Sequence, residues 1–80
     1  NYGYQLFDGR RRPSRDKVIS LCLALKLDLL ETQRALTLTK NGQLYSKSKR
    51  DSILIFAIEK KLSVIDANAL LEELGEPSLS

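Results

Sequence analysis

An all-α fold, two helix-turn-helix hairpins preceded by a short helix, follows from three features of this 80-residue chain. First, Val18, Leu21, Cys22 and Leu25 recur at i, i+3, i+4 and i+7, the spacing of one helix face. Second, helix-start signals stand where helices should open: Ser14, then Asp28 with Glu31, then Ser48 with Asp51. Third, the chain overlays itself when shifted by 35 residues without a gap. Arg15-Asp16 falls on Arg50-Asp51, Val18-Ile19 on Ile53-Leu54, and Cys22-Leu23 on Ala57-Ile58. Lys26-Leu27 falls on Lys61-Leu62, Asp28 on Ser63, Gln33 on Asn68 and Leu36 on Leu71. Apolar positions meet apolar positions and caps meet caps, as two copies of one hairpin require.

Taken in order, Asn1 to Phe7 reads as the last turns of a helix that begins before the chain does, closed at Gly9. Ser14 caps a helix over about 15–25, with Asp16 in the first turn, where a negative charge suits the helix dipole. Lys26-Leu27 leaves room only for a tight turn, and Lys26 and Lys61 are expected at positive φ. A helix over about 28–38 follows, and Asn41-Gly42 ends it or turns after it. Ile53 to Ile58 would suit a buried strand if taken alone, because β-branched residues are common in it. The repeat makes it part of a helix over about 50–60. The last helix, about 63–74, closes at Gly75, and Pro77 forbids continuation. The tail from Glu76 is expected to be loose. The expected core is Leu21, Leu25, Leu27, Leu36, Phe56, Ile58, Leu62, Leu71 and Leu74. Residues 1–80 read as one domain, with residues 1–38 and 48–75 as its two parts.

Several function classes fit poorly. The chain has no His, which removes His-based triads and the commonest metal ligand. Its one cysteine, Cys22, lies among leucines and reads as a buried structural thiol in a reducing cytoplasm. No glycine-rich phosphate loop occurs. The chain is therefore expected to be no enzyme and to need no cofactor or metal. No apolar run approaches the roughly 18 residues of a membrane span, and no signal peptide is recognisable.

The charge is uneven. In residues 1–17, Arg10, Arg11, Arg12, Arg15 and Lys17 face only Asp8 and Asp16, which accounts for the whole net charge of +3. An anionic partner would meet that end first. The arginines follow a stretch holding Asn1, Tyr2, Tyr4 and Gln5. Amide side chains can read adenine edges and arginines can clamp phosphates, so the combination points to double-stranded DNA.

Gly9-Arg10-Arg11-Arg12-Pro13-Ser14, followed by Val18 to Asp28, resembles the second half of a phage-repressor/Cro-type helix-turn-helix domain, the XRE class of bacterial regulators. The resemblance covers roughly residues 1–38. It implies a sequence-specific transcriptional regulator in which Asn1 to Phe7 is the recognition helix. Asn1, Tyr2 and Gln5 would face the bases, while Arg10, Arg11, Arg12 and Arg15 would grip the backbone. The second hairpin resembles an extension found in some small bacterial proteins of this class. Three departures stand out. The family's first two helices are absent from this sequence. Tyr2 and Tyr4 are bulkier than the small polar residues usual there, which opens packing against those helices as a second role. Lys26 stands where the family favours Gly.

The alternative is a helical protein-protein interaction or dimerisation module without DNA binding. The second hairpin lacks the basic excess and carries the apolar run Ile53 to Ile58. If Ile53, Ile55 or Phe56 stays uncovered, a protein partner or a second copy would cover it.

Overall fold

The computed structural model describes residues 13–79, and these form four helices and no strand. They are α1 (Arg15–Ala24), α2 (Leu29–Leu38), α3 (Lys49–Glu59) and α4 (Val64–Glu73). The expected helix at residues 1–7 lies outside the described residues. The 53–58 run is helical, because its apolar residues have a second hairpin to pack on.

Each helix opens on a side-chain cap. Ser14, Asp28, Ser48 and Ser63 accept from the backbone N–H three residues on. At Asp28 the box is complete, since the Glu31 carboxylate accepts from the Asp28 N–H in return. Ser48 and Asp51 make only half of the expected box, because the Asp51 carboxylate is drawn to Arg15 instead.

Each helix also ends the same way. The residue after the C-cap takes the left-handed conformation: Lys26 (φ 59), Lys40 (φ 59), Lys61 (φ 57) and Gly75 (φ 81). Its N–H and the next one return to two carbonyls of the last turn, as in Lys26 to Leu23 and Leu27 to Cys22. The expected positive φ at Lys26 and Lys61 is found. Each non-Gly residue there is strained by roughly 1–2 kcal/mol.

The core is built from matching positions of the two hairpins. Val18, Ile19, Cys22 and Leu23 of α1 are buried, and so are Ile53, Leu54, Ala57 and Ile58 of α3. Leu36 and Leu71 are fully buried in α2 and α4, as are Thr32 and Ala67. Contacts across the hairpins are reciprocal. Arg15 pairs with Asp51, and Arg50 pairs with Asp16. The Lys26 ammonium donates to the Lys61 carbonyl at 2.7 Å, and the Lys61 ammonium donates to the Lys26 carbonyl at 2.9 Å. When residue i meets j and j's counterpart meets i's, the two halves are related as the subunits of a two-fold dimer.

The core differs from expectation at Leu21, Leu25, Phe56 and Leu74, which are 42%, 67%, 48% and 44% exposed. Leu27 and Leu62 are half-buried. From Val18 to Ala24, α1 is apolar at every position but Ser20, so its periodicity does not select the face that meets α3. The tail is also not loose as far as Leu79. Leu79 is buried and its N–H donates to Asn68 Oδ1, while Arg50 holds the carbonyls of Pro77 and Ser78. This anchoring continues the repeat. Leu44 is likewise buried, and Gln33 both accepts from its N–H and donates to its carbonyl.

Candidate nucleic-acid interface

Of the residues expected to touch DNA, Asn1, Tyr2, Gln5, Arg10, Arg11 and Arg12 lie outside the described residues. The described structure starts where the arginine triplet ends. Pro13 is buried, and its carbonyl accepts from Asn41 Nδ2 at 3.3 Å. Ser14 then caps α1, accepting from the Lys17 N–H at 3.2 Å.

Arg15 opens α1 and is already engaged within the fold. Its Nη1 and Nη2 donate to the two oxygens of Asp51 at 3.0 and 2.8 Å, a two-pronged pairing. Its Nε donates to the Gly42 carbonyl and its Nη2 also to the Gln43 carbonyl. Its side chain is only 28% exposed. Hydrogen bonding to Asp51 raises the guanidinium pKa above its ordinary value against the opposing effect of burial. Burial alone would raise the Asp51 carboxyl, but Arg15 and the Tyr45 N–H outweigh it and hold that carboxyl below the usual range. Arg15 thus ties the start of α1 to the segment 42–45 and to α3.

Arg50 does the same in the second hairpin. It pairs with Asp16 at 3.0 and 3.1 Å and holds the Pro77 and Ser78 carbonyls. The N-termini of α1 and α3 therefore sit side by side, and the carboxylates Asp16 and Asp51 are each matched by an arginine.

This leaves the neighbouring segment with positive charge only. Residues 32–50 contain Arg34, Lys40, Lys47, Lys49 and Arg50 and no acid at all. Lys40 and Lys47 are exposed, whereas Lys49 donates to the Leu74 carbonyl and lies 3.8 Å from Glu76. Lys40 and Lys47 escaped the sequence reading because acids farther along the chain cancel them in any whole-chain sum. The acid-free stretch was the signal that would have found them.

Elsewhere, a groove of about 310 Å³ between α3 and α4 is lined by Ser52, Ile53, Phe56, Leu70 and Leu74. Cys22 is buried, and burial pushes its thiol pKa up while Thr32 hydrogen-bonds against that trend. A thiol in that state is a poor nucleophile. Among the described residues, no group of three His, Cys, Asp or Glu side chains stands together as a metal site would require. No described helix is long and apolar enough to cross a membrane. No protein-family model, curated protein or solved structure matches the chain.

Proposed function

We propose that this chain is the DNA-binding part of a transcriptional regulator of the phage-repressor/Cro helix-turn-helix type, acting by binding and not by catalysis. The observation that carries the reading is the run Gly9 to Ser14, in which three unbroken arginines lead into a Pro-Ser helix start. Asn1, Tyr2 and Gln5 then face base edges in the major groove, and Arg10, Arg11 and Arg12 hold phosphates. Arg15 has a separate task, holding the start of α1 to Asp51, Gly42 and Gln43. A buried, unpaired Cys22 suits a reducing cytoplasm.

The test is binding of the full-length gene product to specific and random duplexes across a salt series. Gln5→Ala is expected to cost on the order of 1–3 kcal/mol on the preferred site and little on random DNA. Arg11→Ala is expected to weaken all duplexes alike and to lower the salt slope by about one. If both variants bind as wild type at every salt concentration, the reading fails. A second reading is then favoured by the exposed groove at Phe56, Leu70 and Leu74: a module that binds protein, or a second copy of itself, through the second hairpin.

A further inference from the structure

We propose that Lys40 and Lys47 form a phosphate-binding strip beside the first turn of α1, gripping the backbone of the same DNA duplex. This rests on the DNA-binding reading above and adds a contact surface that the first 17 residues do not contain.

Three observations carry it. The first is place. Asn41 holds the Pro13 carbonyl, and Arg15 holds the carbonyls of Gly42 and Gln43. The segment between the two lysines is thereby fastened against the first turn of α1. Arg12 directly precedes Pro13 in the sequence. The second is unspent charge. The described carboxylates at this end are engaged, Asp16 with Arg50, Asp51 with Arg15 and Glu76 beside Lys49. Neither Lys40 nor Lys47 forms an ion pair or side-chain hydrogen bond with the described residues, and both are exposed.

The third is the residue type at position 40. Four helices end on a left-handed residue, and the fold explains three of them. Lys26 and Lys61 use their ammonium groups on each other's carbonyls, and the fourth position is Gly75, which takes that conformation freely. Lys40 is the exact counterpart of Gly75 in the repeat, yet it keeps a charged side chain at φ 59 with no partner among the described residues. An exposed lysine at a position where glycine fits better points to a use for its charge outside the fold.

The test is a salt series with the full-length protein on duplex DNA. Wild type is compared with the Lys40→Asn/Lys47→Gln variant, with Arg11→Ala, and with Lys60→Gln as a surface control on the second hairpin. Asparagine tolerates the left-handed conformation, and a circular dichroism melt checks that the double variant stays folded. The double variant should lose affinity for all duplexes and lower the salt slope by about two, since each neutralised phosphate contributes about 0.9. Lys60→Gln should bind as wild type. A wild-type slope in the folded double variant, or an equal drop in Lys60→Gln, would overturn the strip. Because Arg11→Ala would still lower the slope in that case, the DNA-binding reading would survive. Absence of duplex binding by wild type at low salt would overturn both.

Discussion

Hairpin 1, residues 14–44, carries Arg15, Lys17, Lys26, Arg34 and Lys40 against Asp16, Asp28 and Glu31, a net +2. The matching hairpin 2, residues 49–79, carries Lys49, Arg50, Lys60 and Lys61 against Asp51, Glu59, Asp66, Glu72, Glu73 and Glu76, a net −2. The backbones agree in caps, left-handed ends and anchored tails. The buried positions agree as well: Ile19 with Leu54, Leu23 with Ile58, Leu36 with Leu71 and Leu44 with Leu79. Exposed positions part company, with Lys17 facing Ser52, Leu25 facing Lys60, Thr37 facing Glu72 and Leu38 facing Glu73. Close packing in the core penalises even small changes of volume, whereas solvent does not. One scaffold therefore presents two surfaces of opposite charge.

The strongest way to break this equivalence is in the core. Leu36→Ala and Leu71→Ala each remove a fully buried side chain and should each cost about 2–5 kcal/mol. Urea unfolding of both variants should give similar losses. A near-neutral result in one would show that its hairpin contributes little to the shared core.

Next come the cross pairs. Asp51→Ala takes the carboxylate from Arg15 and from the Tyr45 N–H, and should cost about 1–3 kcal/mol. Asp16→Ala should cost less, because the Asp16 side chain is 21% exposed against 10% for Asp51, and Asp51 also accepts from the Tyr45 N–H. Equal losses would contradict that ordering.

Acid titration sharpens the same contrast. The Asp51 pKa is lowered in the folded state. Its contribution is therefore complete above the unfolded value of about 4 and is lost as pH falls through the lower folded value. Melting temperatures of wild type should drop below pH 4, and those of Asp51→Asn should drop less over the same interval. Parallel curves for the two proteins would remove Asp51 as a source of the acid sensitivity.

The smallest effects lie at the helix ends. Lys40→Gly should stabilise by up to about 1 kcal/mol by relieving the left-handed strain, and Gly75→Lys should destabilise to a similar degree. Lys26→Gly should gain less than Lys40→Gly, since it surrenders the hydrogen bond to the Lys61 carbonyl. Thermal melts of the three variants measure the differences. A larger gain at Lys26 would mean that the reciprocal lysine contacts contribute nothing.

The four described helices, their caps and the left-handed Lys26 and Lys61 were legible because each is a local matter of a few residues, whereas the left-handed Lys40 was not expected. The face that α1 and α3 bury was less so. Leu21 and its counterpart Phe56 are both apolar and both exposed, so neither periodicity nor the repeat separates them from the core. Leu25 is different, because its counterpart Lys60 marks the position as a surface one. Leu74 misleads in the opposite direction, being exposed where its counterpart Thr39 is buried and bonded to the Ala35 carbonyl. The hold of Arg15 on Gly42, Gln43 and Asp51 spans up to 36 residues of sequence, and no local pattern announces it. The expected DNA-facing residues before Pro13 lie outside the described residues, so the arginine loop is legible only as sequence.

The reciprocal pairing has a consequence for which hairpin each hairpin meets. Each hairpin offers the other an Arg-Asp couple and a lysine turn that would fit another molecule's hairpin as well. What favours the partner in the same chain is the short connection over residues 45–48, since even a flexible link of that length holds two partners at an effective concentration of about millimolar. At ordinary concentrations the tether wins. In a dense solution, or after the tether is cut short, neighbouring chains should begin to exchange halves.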